Sequence, residues 1–281
     1  MIIKQVDLYK ELNREKLNGS KGLLTMYLPD NYSEINEERK RPAILIMPGG
    51  GYILVSPGEA EPIAMRYLAR GFAVFILDYA VAPAKYPTAF LEAAMAMIYI
   101  REYAEIFNVH KEKIAALGFS AGGHLCGCLA TLFGEDVIKE AFGEKSSMAK
   151  PNAAILSYPV ITSKEKGHQG SFENLCGDDE ELKKYLSLED RVTPQSVPAF
   201  IWHTYEDGAV PVYNCLAMAQ SYEKNRVPFS LHIFEKGQHG LSTADGESHR
   251  TDELPAVSTN LTRWIDMSID WLEDRGIKTA D

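Results

Sequence analysis

Short apolar runs alternate along the chain with longer amphipathic stretches, and that rhythm sets the first expectations. Runs at 23–28, 43–47, 72–78, 114–117, 153–156, 200–204 and 229–234 are rich in β-branched and aromatic residues and predict strands. Ala43-Ile44-Leu45-Ile46-Met47 is apolar at every position, as a strand covered by helices on both faces requires. Stretches at about 59–70, 88–107, 121–133, 212–225 and 258–275 predict helices. Alternation of this kind implies an α/β fold, with helices flanking a mostly parallel sheet through right-handed crossovers. The segment 19–28 reads as an antiparallel entry to that sheet. Two stretches break the rhythm. Residues 134–150 are charged and contain Gly and Ser, predicting a loop or short helix. Residues 161–198 are longer and polar, with Gly167, Gly170 and Gly177 as breakers, and have the length to fold over the sheet edge as a lid. No repeat, low-complexity tract or linker divides the chain, so 1–281 is expected to form a single domain.

Composition narrows the class. Hydrophobic residues make up 46% and charged residues 24%, enough apolar mass for a large core and far from a disordered chain. The net charge of −10 leaves no cationic surface for a phosphate backbone or an anionic bilayer, so neither nucleic acid nor membrane is an expected partner. The acidic surface permits a monomer or a homo-oligomer equally. The N-terminal stretch has no apolar signal core, and Phe72-Ala73-Val74-Phe75-Ile76-Leu77 is far short of a bilayer span of ~20 residues. Four cysteines do not make a disulfide scaffold, and Cys126 and Cys128 have neither redox-motif nor zinc-ligand spacing. They are expected to behave as small buried hydrophobes in a reducing cytoplasm.

The strongest chemical signal is Gly118-Phe119-Ser120-Ala121-Gly122, which lies between a predicted strand and a predicted helix. A nucleophile on so tight a turn is held in strained backbone geometry, so the residues two positions either side must lack bulk. The helix start then places N–H groups and partial positive charge beside the serine. A glycine-rich turn with Ser120 as a helix N-cap is the plainer alternative. A second constellation, Pro48-Gly49-Gly50-Gly51-Tyr52, follows an earlier strand. Acyl transfer generates an oxyanion that needs preorganised N–H donors, each worth ~2.7–4 kcal/mol. Gly50 and Gly51, with Ala121 after the serine, are the candidate donors. A phosphate cradle would call for Lys-Ser or Lys-Thr next, whereas Tyr52-Ile53-Leu54 follows. Ser56 and Glu59 have capping-box spacing and are expected to be helix caps.

A serine nucleophile needs a base, and the base an orienting carboxylate. His239 stands in a glycine-flanked loop directly after the strand at 229–234. His203 belongs to an apolar strand and reads as a core residue. His124 follows the serine on its helix, facing an undetermined direction; His110, His168, His232 and His249 read as surface residues. Asp207 lies after the strand at 200–204 and before a helix, with a turn or N-cap role as its alternative and Glu206 as a neighbouring competitor. Asp178 and Asp179, inside the polar insertion, rank lower. The order Ser120, Asp207, His239 is that of α/β-hydrolases.

Together these residues resemble the α/β-hydrolase superfamily, and within it the small acyl esterases of the acetylxylan-esterase-like branch, related to hormone-sensitive-lipase-type esterases. The segments that carry the resemblance are 47–52, 59–64, 78–83, 118–124, 198–211 and 237–241. Pro48 stands where hormone-sensitive-lipase-type enzymes carry His, which favours the acetylxylan-esterase-like branch. The resemblance implies a Ser-His-Asp esterase that removes short acyl groups, acetyl foremost, from a sugar or xylo-oligosaccharide, with no metal or cofactor. Tyr52, Tyr79 and Trp202 are candidates for the substrate pocket, with a core role as the alternative. A broader carboxylesterase, a peptidase of the same fold and a non-catalytic ligand-binding protein are the rival expectations.

Overall fold

The computed structural model describes residues 1–249 and 256–278, and the elements below are those of the described residues. Eight strands form one sheet in the spatial order β1 (Ile2–Asp7), β2 (Leu23–Leu28), β4 (Ala73–Asp78), β3 (Arg41–Met47), β5 (Val109–Phe119), β6 (Ala153–Ser157), β7 (Ala199–Thr204), β8 (Phe229–Phe234). The β1–β2 and β2–β4 pairings are antiparallel, and every pairing from β4 to β8 is parallel. The helices are α1 (Leu8–Glu11), α2 (Glu61–Ala69), α3 (Thr88–Glu102), α4 (Ser120–Thr131), α5 (Asp136–Phe142), α6 (Gln169–Cys176), α7 (Glu180–Tyr185), α8 (Tyr213–Lys224) and α9 (Trp264–Asp274).

The period-2 geometry of strands divides the core into two layers. Ala43, Leu45 and Met47 of β3 join the cluster that holds α3, α4 and α8, while Ile44 and Ile46 join the cluster that holds α2 and α9. Every residue of β3 is buried, and each large aliphatic side chain there contributes about 1.5–3 kcal/mol relative to exposure. On the second face Ile63, Ala64 and Tyr67 of α2 meet Trp264, Ile265, Ile269 and Leu272 of α9. A 2.7 Å hydrogen bond between the Tyr67 and Ser268 hydroxyls ties the two helices together.

All seven predicted strands are present. β1 was not among them, and β5 begins earlier than expected because its exposed start, from His110 to Glu112, gives no apolar signal. The helix expected at 88–107 ends at Glu102. The stretch 134–150 holds α5 and a 3-10 segment, Gly143–Ala149. Residues 161–198 hold α6, α7 and a short 3-10 turn. All four cysteines are buried and free. No helix among the described residues is long and apolar enough to cross a membrane. Because β3, β5, β6, β7 and β8 run parallel, the loops after their C-terminal ends gather on one rim, and each delivers residues to the site described next.

Candidate active site

Strand β5 ends at Phe119 and α4 starts at Ser120, with no loop between. Ser120 has φ +52°, a conformation that strains a non-glycine residue by ~1–3 kcal/mol. The flanking glycines make the turn possible. A Cβ on Gly118 would lie 2.1 Å from the Gly122 carbonyl oxygen, and one on Gly122 would lie 2.1 Å from that of Met47. Packing thus holds the serine out at the head of α4, whose leading N–H groups have no carbonyl one turn behind them.

His239 arrives on the loop after β8, anchored where the Thr204 hydroxyl donates to the Gly237 carbonyl at 2.8 Å. Its Nε2 lies 2.7 Å from Ser120 Oγ and its Nδ1 lies 2.6 Å from Asp207 Oδ2. A carboxylate only accepts, so Nδ1 carries the proton and Nε2 is left to accept from the serine hydroxyl. Asp207, after β7, accepts on Oδ1 from the N–H groups of Ala209 and Val210 at 3.0 and 2.9 Å. On Oδ2 it also meets His203 Nε2 at 3.2 Å. Burial alone would raise the Asp207 pKa, but hydrogen bonds from His203, His239 and Val210 outweigh it and hold the carboxyl well below the usual range. His203 therefore does more than fill core. Its Nε2–H is shared between Asp207 and the Val210 carbonyl, at 2.8 Å, and its Nδ1 faces Cys215 Sγ at 3.1 Å.

Gly50 and Gly51, at φ +127° and +64°, shape the loop after β3. Neither N–H donates to a protein acceptor among the described residues. The Gly50 carbonyl turns away, accepting from Ile53 and Leu54, and the Gly51 carbonyl accepts from Asn174 Nδ2 of α6 at 2.9 Å. Gly49 is held differently: its N–H donates to Glu59 Oε2 at 2.7 Å, while Glu59 Oε1 accepts from the Tyr158 hydroxyl at 2.6 Å. Glu59 is thus not the helix cap expected from its spacing, and Ser56 makes no side-chain cap bond. Burial pushes the Glu59 carboxyl up, against the lowering effect of those two bonds. Tyr158, after β6, also accepts from Ser242 N at 2.9 Å and packs edge-on against His239, with ring centroids 5.1 Å apart.

These groups surround a cleft of about 340 Å³ lined by Gly50, Gly51, Leu54, Ser56, Glu59, Ser120, His168, His239 and Gly240. The structure thus brings Ser120, Asp207 and His239 into one hydrogen-bonded chain, with Gly50, Gly51 and Ala121 beside the serine. It does not bring Tyr52, Tyr79 or Trp202 to the cleft. All three are buried, and their polar atoms are engaged by His124 Nδ1, the Pro48 carbonyl and Ser157 Oγ respectively. Tyr79 and Tyr52 brace the glycine loop from behind. His168, expected on the surface, instead lines the cleft, and His232 stacks against Phe200. Glu206 is exposed, its carboxylate accepting from Gly237 N at 3.4 Å, and it makes no hydrogen bond to His239 among the described residues. No group of three or more His, Cys, Asp or Glu side chains among the described residues is placed to hold a metal ion.

His124 is buried between the glycine loop and the insertion. Its Nδ1 accepts from the Tyr52 hydroxyl and its Nε2–H donates to the Leu186 carbonyl, both at 2.9 Å. Burial pulls this imidazole down from 6.5 to about 4. The unfolded chain takes up the proton first, so the neutral ring's contribution is complete above pH ~6.5 and drains away as pH falls through the window to about 4. His124→Gln keeps a donor for Leu186 but cannot titrate. Its stability deficit relative to wild type is expected to shrink by about 3 kcal/mol between pH 7 and pH 4, measured by urea unfolding.

A mixed sheet with this strand order, a strained serine at the β5–α4 turn, and an acid and a histidine after β7 and β8 define an α/β-hydrolase. The BD-FAE family model matches residues 26–222, and the chain belongs to that family. Among curated proteins it is 37% identical over 232 residues to endo-1,4-beta-xylanase B of Butyrivibrio fibrisolvens, covering 79% of this chain and 36% of that protein. It is 27% identical over 245 residues to an acetylxylan esterase of Xylanibacter ruminicola, covering 84% of this chain and 47% of the relative. The chain thus spans between about a third and a half of these two proteins. Among solved structures, an acetyl ester-xyloside bifunctional hydrolase from Caldicellulosiruptor lactoaceticus superposes with a TM-score of 0.79 at 32% identity, over 91% of this chain and 89% of that one.

Proposed function

We propose that this protein is a serine esterase that hydrolyses short acyl esters, acetyl esters foremost, of a sugar or xylo-oligosaccharide alcohol. The observation that carries the reading is the unbroken chain Asp207–His239–Ser120, at 2.6 and 2.7 Å, beside two glycine N–H groups with no protein acceptor. In this mechanism Ser120 Oγ attacks the ester carbonyl as its proton passes to His239 Nε2. Asp207, kept ionised by its hydrogen bonds, holds the Nδ1–H tautomer and stabilises the imidazolium. The N–H groups of Gly50, Gly51 and Ala121 receive the oxyanion. His239 then protonates the leaving alcohol, and water, activated by the same imidazole, releases the acid from the acyl-enzyme. Residues 161–198 act as a cap on a single catalytic domain, since His168 lines the cleft and Asn174 pins the glycine loop.

The preference for short acyl groups is supported by the space behind the serine. Val160 N donates to the Ser120 carbonyl at 3.0 Å, and the gap that Val160 forms with Tyr52, His124, Ser171, Phe172 and Leu175 has no room for a water-sized sphere, so a long acyl chain finds no preformed space on that side. The names of the relatives point to the same chemistry, an acetylxylan esterase and an acetyl ester-xyloside bifunctional hydrolase. The test is a series of 4-nitrophenyl esters from acetate to octanoate, with aminoacyl anilides alongside. We expect kcat/KM to fall about tenfold or more from acetate to octanoate, because a longer chain must push packed side chains aside at a cost of ~1–3 kcal/mol. Rising rates with chain length would instead make this a long-chain carboxylesterase, and anilide turnover would make it a peptidase.

A further inference from the structure

We propose that His168 is a specificity-determining residue that donates a hydrogen bond from Nε2 to a hydroxyl or ring oxygen of the substrate's alcohol moiety, selecting polyol esters over esters of apolar alcohols. The inference rests on the esterase reading above. Its first support is the tautomer. Ser171 N–H reaches His168 Nδ1 at 3.2 Å, and an N–H can only donate, so Nδ1 accepts and Nε2 carries the proton. The Ser171 hydroxyl lies 2.8 Å from the same Nδ1 and fixes the ring further. This is a cap made by a histidine at the head of α6, and it orients the imidazole.

The second support is position. His168 is half-buried and lines the cleft with Ser120, His239 and Gly240, and its Nε2 has no protein partner among the described residues. Its surroundings keep it neutral near pH 7. Burial lowers its pKa, the charge of His239 lowers it further, and Asp207 acts the other way. His168 and His239 line the same cleft. The leaving alcohol must sit beside His239, which protonates it, so a fixed N–H on the same cleft meets the alcohol. Ser56, whose hydroxyl also makes no hydrogen bond among the described residues, adds a second polar group to the lining. A fixed donor left unpaired in a closed complex penalises alcohols that offer it no oxygen, and such a site discriminates more sharply than an apolar wall.

Two substitutions separate the two nitrogens. His168→Asn places an acceptor where Nδ1 stands and preserves the cap, since Asn is a favoured N-cap residue, but lacks the reach of Nε2. His168→Gln carries an N–H near the Nε2 position and gives up the cap. The readout is the ratio of kcat/KM for acetylated xylose to kcat/KM for 4-nitrophenyl acetate, which cancels differences in folded fraction because both are measured on one preparation. His168→Asn is expected to lower the ratio about tenfold, the worth of one hydrogen bond, and His168→Gln to restore at least a third of it. An unchanged ratio in His168→Asn, or equal losses on both substrates, overturns the proposal. Failure of the wild-type protein to turn over 4-nitrophenyl acetate would overturn the esterase reading itself, a separate outcome.

Discussion

Ser120→Ala is expected to lower kcat for 4-nitrophenyl acetate by about 10⁶-fold, the scale seen when a triad nucleophile is removed, while the protein stays folded. The expectation of an intact fold has a physical basis. Alanine retains the Cβ, so the strain of φ +52° is unchanged, and the hydroxyl's only hydrogen bond among the described residues is to His239 Nε2, a ring whose side chain is 22% exposed, so that water can reach it. Stability by urea unfolding should therefore move by less than about 1 kcal/mol. Loss of activity with loss of fold would not distinguish a nucleophile from a structural serine. Loss of activity without it does, and retained activity would remove Ser120 from the mechanism.

Asp207→Asn is expected to cost about 10⁴-fold in kcat. The side-chain oxygen of the new amide will keep the Ala209 and Val210 N–H groups, which anchor the loop. Its NH2 then faces His239 Nδ1 and His203 Nε2–H, where the carboxylate accepted before. A donor opposite His239 Nδ1 selects the tautomer with the proton on Nε2, which cannot take one from Ser120. Glu206→Gln is the matched control, expected within about threefold of wild type because that side chain is exposed and its one hydrogen bond among the described residues is from the Gly237 N–H. The reverse ordering would transfer the acid's role to Glu206.

The catalytic candidates were legible because each is bound to a local rule. Ser120 sits in a pentapeptide whose glycines are demanded by contacts as short as 2.1 Å, and Asp207 and His239 each follow a strand that reads plainly as apolar. The central strands were legible because burial on both faces keeps them mostly apolar, as in β3 from Pro42 to Met47. β1 was not, since it lies on the sheet edge with Val6 as its one buried residue, so Ile2-Ile3-Lys4-Gln5 carries no alternation. Glu59, Tyr158 and His168 were misread or passed over for a different reason, and His203, buried in the core as expected, hid only its bond to Asp207. Their roles come from partners 10, 99, 3 and 4 residues away, and only the short separations leave a pattern in sequence. Those short patterns had a simpler reading: capping for Glu59, surface for His168, core for His203. The aromatic candidates Tyr52, Tyr79 and Trp202 failed as cleft residues because their polar atoms found partners inside the core. Proximity in sequence to the glycine loop, or position on a strand next to the acid, does not tell which way a ring points.

The most direct test of the central claim, that Ser120 is made nucleophilic by His239, is intact-mass measurement after reaction with a fluorophosphonate, followed by peptide mapping. A single adduct on Ser120 in the wild-type protein, absent from Ser120→Ala and slowed at least about 10³-fold in His239→Ala, is the predicted result. An adduct on any other residue, or none at all on the folded wild-type chain, would contradict it.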